Sequence, residues 1–177
     1  MDKPRIDSLS IIRELLDRYR LEGENYEDTP RRYIHFFEDL LLRPKPTLTT
    51  FPLKGKPGMI LIKNYVTWSL CPHHLLPVKY TIKIGYIPSN RVLGLSKLGR
   101  IADWVMSLLP LQEEISALIC KELEDCLQPK GTGVLVTGEH LCMQMRGVKA
   151  SNSIAVSDNM TGCFLEEGST REEFLTL

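Results

Sequence analysis

The chain has 177 residues, 43% of them hydrophobic and 25% charged, which allows one packed core and excludes wholesale disorder. Lys plus Arg and Asp plus Glu number 22 each, and a zero formal charge argues against a general nucleic-acid binder while leaving room for a local basic pocket. No apolar run is long enough to span a bilayer, Met1 to Asp7 lacks a signal-peptide core, and the odd count of five cysteines suits reduced thiols or metal ligands. The cytoplasm is the expected location, with no membrane partner.

Ile6, Leu9, Ile12, Leu15, Leu16 and Tyr19 recur at helical spacing, so residues 6–21 read as an amphipathic helix. A second helix begins at Thr29-Pro30, with Thr29 as cap and Tyr33, Phe36, Phe37, Leu40 and Leu41 as its apolar stripe. Arg43 to Pro57 carries four prolines and reads as a connection. Met59 to Trp68 and Val78 to Ile87 look like strands, and Ser96 to Leu109 and Leu111 to Leu127 like helices parted by Pro110. Gly133 to Val136, His140 to Val148 and Ile154 to Phe164 are further strand candidates. Thr170 with Glu173 predicts a capping box and a short terminal helix. Grouped helices between paired strands suggest an α+β domain with a mainly antiparallel sheet.

The sharpest local feature is Cys71-Pro72-His73-His74, between two predicted strands. A second cluster is His140-Leu141-Cys142. If that segment is a strand, His140, Cys142, Gln144 and Arg146 share one face, a composition unlike a packing face. Two thiolates with an imidazole form a soft set suited to zinc, and three ligands leave a fourth position for water. A closed structural shell with His140 as fourth ligand satisfies the same spacing. Cys120, Cys126 and Cys163 read as packed thiols, and His35 as structural.

Gly94-Leu95-Ser96-Lys97-Leu98-Gly99-Arg100 places a hydroxyl and two cations at a helix N-terminus, as a phosphate chain needs; solvated surface charge is the plainer reading. Gln112-Glu113 opens the next helix. A carboxylate there can accept paired hydrogen bonds from guanine, or can simply complement the helix dipole.

These residues together resemble the GTP cyclohydrolase I family. The resemblance rests on Cys71-Pro72-His73-His74-Leu75-Leu76-Pro77, on Gly94 to Ile101, on Leu111-Gln112-Glu113, and on His140-Leu141-Cys142-Met143 with Met145-Arg146-Gly147-Val148. Asp28-Thr29-Pro30-Arg31-Arg32, Asn152-Ser153 and Thr170 to Leu175 fit in the same order. It implies hydrolytic opening of the GTP imidazole ring, release of formate, and formation of 7,8-dihydroneopterin triphosphate. It implies Zn2+ held by Cys71, His74 and Cys142, with His140 and His73 as acid/base groups. Gln112 and Glu113 would read guanine, and Ser96, Lys97, Arg100 and Arg146 would hold the triphosphate. The implied fold is the tunnelling fold (T-fold), an antiparallel sheet with two helices on one face. An N-terminal helical segment, residues 1–50, would precede a catalytic domain at 51–177. The implied assembly is a homo-oligomer, a decamer of two stacked pentamers with sites at subunit boundaries. The chain departs from the family at Pro72, where Glu is usual, at Glu114, where Arg is usual, and at Ser107-Leu108-Leu109-Pro110, where arginines are usual.

Overall fold

The computed structural model describes residues 7–55 and 58–177. The chain divides into two compact units, the first ending at Leu42 and the second running from Arg43 to Leu177.

In the first unit, α1 spans Ser8–Arg18 and α2 spans Thr29–Leu41. Asp7 caps α1 by accepting the Leu9 N–H at 3.2 Å, and Arg20 in the left-handed region (φ 54°) ends the run before residue 21. Ile6, the first residue of the expected stripe, lies outside the described residues, as does most of the stretch read for a signal peptide. Asp28, not Thr29, flanks the start of α2, with its carboxylate bonded to Arg31 at 2.8 and 2.6 Å and to Arg32 at 3.2 Å.

In the second unit the elements are β1 Thr50–Pro52, β2 Ile60–Leu70, β3 Pro77–Ile87, β4 Arg91–Leu93, α3 Leu95–Ser107, α4 Gln112–Leu127, β5 Gly131–His140, α5 Leu141–Gln144, β6 Ala155–Met160, α6 Cys163–Glu166 and α7 Gly168–Thr176. The segment expected to be a plain connection contains β1, which pairs with β4; Lys56 and Pro57 at its end lie outside the described residues. The main sheet runs β2-β3-β5-β6 and is antiparallel throughout. Its core face carries Val78, Tyr80, Ile82 and Ile84 of β3 with Val134 and Val136 of β5. Against them pack Leu98, Ile101, Ala102 and Val105 of α3 and Ile115, Ile119 and Leu123 of α4. This is the expected α+β arrangement, two helices over one face of an antiparallel sheet. Phe164 and Phe174, from α6 and α7, form a second buried cluster with Met160.

Three expectations near the end of the chain are corrected. His140 to Val148 is not a strand. β5 ends at His140, whose partner Val78 stands next to Pro77, and a proline without an N–H cannot extend the ladder. The chain instead turns helically, with Met145 N donating to Leu141 O at 3.0 Å. Likewise β6 stops at Met160 and the following residues enter α6. The terminal helix starts ahead of Thr170, whose hydroxyl donates to Glu167 Oε2 at 2.9 Å from inside the first turn.

Candidate metal and nucleotide site

Strand β2 delivers Cys71 into a tight loop. The Cys71 carbonyl accepts His74 N–H at 3.3 Å and Leu75 N–H at 2.8 Å, while Cys71 N–H donates to Leu76 O at 2.8 Å. Pro72 follows the first residue of this turn, where a fixed φ near −65° is favoured. The departure at Pro72 therefore has a local reason in the turn. Cys71 is buried, whereas His73 and His74 are exposed, and their Nδ1 atoms lie 3.8 and 3.6 Å from Cys71 Sγ.

The end of β5 brings the second cluster to the same place. Ligand atoms of Cys71, His140 and Cys142 all lie within 4.8 Å of one another. His74 reaches Cys71 but is not in that mutual group. Cys142 follows His140 through the first turn of α5, not along a strand, so the two meet by a bend where alternation had been expected.

α4 supplies the polar wall. Gln112 is buried at 8% exposure, and its Oε1 lies 2.6 Å from His140 Nε2. An amide oxygen only accepts, so Nε2 carries the proton and the lone pair stays on Nδ1. Gly138 makes room for this contact, since a Cβ there would stand 2.3 Å from Gln112 Oε1 and 3.1 Å from His140 Nε2. Ser157 Oγ donates to Gln112 O at 3.0 Å, and the Tyr80 ring meets His140 edge-on at 5.9 Å. Gln112 Nε2 is buried with no hydrogen-bond partner among the described residues. Glu114, the second departure, has a local role as well: its Oε2 accepts Leu111 N–H at 3.0 Å and caps α4.

A cavity of about 330 Å³ gathers Cys71, His73, His74, Gln112, Glu113, His140 and Cys142, with Tyr80 and Ser157 among its other walls. Ser96, Lys97 and Arg100 do not line it. They stand on the first turns of α3, where Gly94 gives no side-chain cap, and Arg100 borders a different cavity of about 320 Å³. Arg146 is exposed beyond α5, close enough for its charge to favour the Cys142 thiolate. Burial holds His140 below the usual imidazole range, and the Glu113 carboxylate opposes that shift. Burial and the adjoining Cys71 sulfur push the Cys142 thiol up. The donor set, two sulfurs and an imidazole nitrogen, fits a soft divalent metal ion.

Sequence reasoning missed Tyr80, Gly138 and Ser157. Tyr80 and Gly138 are directly paired across β3 and β5, on the face that ends in His140, so their place depends on a register that residue spacing alone does not give.

The fold and site together define an α+β protein with a candidate metal centre and, beside it, a carboxamide and a carboxylate. A model of the family GTP cyclohydrolase I matches residues 10–177. The chain is 40% identical over 155 residues to GTP cyclohydrolase 1 of Sulfurihydrogenibium sp. (strain YO3AOP1), covering 87% of this chain and 83% of that one. It is 42% identical over 119 residues to GTP cyclohydrolase 1 of Campylobacter concisus (strain 13826), covering 67% of this chain and 63% of that protein. Against GTP cyclohydrolase 1 of Rattus norvegicus it is 44% identical over 119 residues, covering 67% of this chain and 49% of the rat protein. The chain therefore spans about half to two-thirds of the length of the last two relatives. The chain belongs to the GTP cyclohydrolase I family. Among the described residues no helix is long and apolar enough to cross a membrane.

Proposed function

We propose that this chain is a zinc-dependent GTP cyclohydrolase that hydrolyses the imidazole ring of GTP, releases C8 as formate and yields 7,8-dihydroneopterin triphosphate for pterin or folate synthesis. The observation that carries this reading is one cavity holding both the thiol–imidazole cluster and the Gln112-Glu113 pair. Formate release from GTP tests it.

Cys71, His74 and Cys142 would hold the zinc. Zinc held there would supply Lewis-acid chemistry that makes water a better nucleophile near neutral pH. His140 would hold or release a proton at Nδ1, its ring fixed by the bond from Nε2 to Gln112. His73, exposed at the mouth of the cavity, would assist proton transfer. The Glu113 carboxylate would accept the guanine N1–H and exocyclic amine, and the unpartnered Gln112 Nε2 supplies a donor beside it. The mutual grouping of Cys71, His140 and Cys142 supports a second ligand set, with His140 in place of His74. Metal content of the two histidine variants separates the sets.

Ser96, Lys97, Arg100 and Arg146 would hold the triphosphate. The first three stand outside the metal cavity of their own chain, which supports a site completed by a second copy. Strands β2 and β6 are the sheet edges, and Val66, Trp68, Ile154 and Val156 on or beside them are 45–63% exposed. Closing such edges into a ring protects them, consistent with a decamer of two stacked pentamers.

A further inference from the structure

Strand β2 changes face in mid-course. Ile62 pairs with Ile84 but Tyr65 pairs with Ile82, so one extra residue is accommodated on β2. Asn64 lies beside it in the left-handed region at φ 57°, a conformation asparagine tolerates. Ahead of this bulge Ile60 and Ile62 pack on the core. Beyond it Tyr65, Thr67 and Ser69 face inward, while Val66 and Trp68 turn away and are 48% and 45% exposed. An unbroken strand would have put Val66 and Trp68 inside and left the hydroxyls outside.

Turning hydroxyls inward requires partners, and α3 supplies them in sequence. The Tyr65 hydroxyl donates to Asp103 Oδ2 at 2.8 Å, Thr67 Oγ1 to Asp103 Oδ1 at 2.7 Å, and Ser69 Oγ to Met106 O at 2.7 Å. Arg43 Nη1 donates to Thr67 Oγ1 at 3.2 Å and to Asp103 O at 3.4 Å. The Tyr65 ring also lies directly on Gly99, where a Cβ would stand 2.5 Å from Tyr65 Cε2. A single side chain thus grips successive turns of α3, by its ring at Gly99 and by its hydroxyl at Asp103. Arg100 lies between these grips, and it borders the cavity of about 320 Å³ with Asp103 and Trp104, so close packing does not surround it.

We propose that Tyr65 is a positioning residue for the phosphate-binding half of the nucleotide site, fixing with Asp103 the rotation and height of α3 and so the placement of Lys97 and Arg100. This rests on the reading of α3 as the triphosphate holder. Hydroxyl-to-carboxylate bonds are charge-assisted, and a carboxylate anchored through both oxygens cannot swing. Polyphosphate recognition depends on cations held in register, so a small rotation of α3 weakens it without touching the metal.

Tyr65→Phe keeps the ring on Gly99 and removes only the hydroxyl. In the full-length zinc-loaded protein, affinity for inorganic tripolyphosphate should fall about five- to tenfold, measured by calorimetry. KM for GTP should rise by about the same factor, with kcat within about twofold and bound zinc unchanged. Thr67→Val should show the same pattern, and Thr67→Ser, which retains the hydroxyl, should behave as wild type. Unchanged tripolyphosphate affinity in both Tyr65→Phe and Thr67→Val overturns the proposal. So does a loss confined to kcat, or one accompanied by loss of zinc, which would make the contact merely structural. Wild-type protein that binds tripolyphosphate but releases no formate from GTP removes the proposed reaction and leaves this test standing. Wild-type protein that binds no tripolyphosphate removes the positioning role itself.

Discussion

Gln112 Oε1 sits 2.6 Å from His140 Nε2, a contact between the first residue of α4 and the last residue of β5. It orients the imidazole and ties the Gln112-Glu113 wall of the cavity to the group of Cys71, His140 and Cys142. Gly138 permits it. Gly138→Ala would place a Cβ 2.3 Å from that oxygen and 2.9 Å from the Tyr80 ring. Because Gln112 can swing away, the fold should survive with a loss of about 1–3 kcal/mol, while turnover drops about 10- to 100-fold. Thermal unfolding together with kcat on one preparation checks both; wild-type turnover would show that the contact is idle.

Removing a metal ligand should remove the metal. Cys142→Ala and His74→Ala should each lose zinc on dialysis, whereas His140→Ala should keep zinc and lose turnover by about 100-fold or more. Zinc content by atomic absorption reads this directly. Loss of zinc from His140→Ala with retention in His74→Ala would move the ligand set to Cys71, His140 and Cys142, the group that lies within 4.8 Å.

Glu113 faces the cavity with no other assigned duty. Glu113→Ala should weaken GTP binding by about 100-fold, the loss expected when the acceptor of two guanine hydrogen bonds is withdrawn. Discrimination against ATP should shrink with it. Equal GTP affinity in variant and wild type would remove the base-reading role.

Burial, with the hydrogen bond to Asp103, raises the Tyr65 hydroxyl from its ordinary 10.0 to about 12. A folded-state pKa above the unfolded one contributes stability that is present below about pH 10 and is lost as pH rises through about 12. The melting temperature should therefore fall steeply across that window, and Tyr65→Phe should show a shallower fall. Parallel alkaline profiles would contradict the assignment.

The bulge also carries a stability prediction. Asn64→Val places a β-branched residue at φ 57° and should cost about 1–3 kcal/mol, read by urea unfolding. Asn64→Gly should be nearly neutral.

The sequence made the helices over α3 and α4 legible because their apolar positions recur at the helical period and pack on one sheet face. The candidate metal cluster was legible in Cys71, His140 and Cys142, which are ligand types, whereas His74, also expected as a ligand, reaches Cys71 but stands outside the mutual group. β2 was legible as a strand but not in its facing. Nothing in Lys63-Asn64 declares the extra residue that turns Val66 and Trp68 outward and the hydroxyls beside them inward. The segment after His140 was misread for a related reason: strand alternation and a helical bend both bring residues two apart near one another, and the ladder's end at Pro77 is a tertiary fact. The Gln112–His140 contact joins elements distant in sequence, so only the register of β5 against β3 reveals it.

The central claim is that the cavity uniting Cys71, His140 and Cys142 with Gln112 and Glu113 performs ring-opening hydrolysis of GTP. The most direct measurement incubates zinc-loaded protein with GTP and quantifies formate together with the fluorescent pterin formed on oxidation. Equimolar formate and pterin, abolished by chelation and by Cys142→Ala, is the predicted result. Zinc-bound protein that yields neither would contradict the account and leave a zinc-stabilised assembly module, and turnover of another purine nucleotide in place of GTP would contradict the substrate.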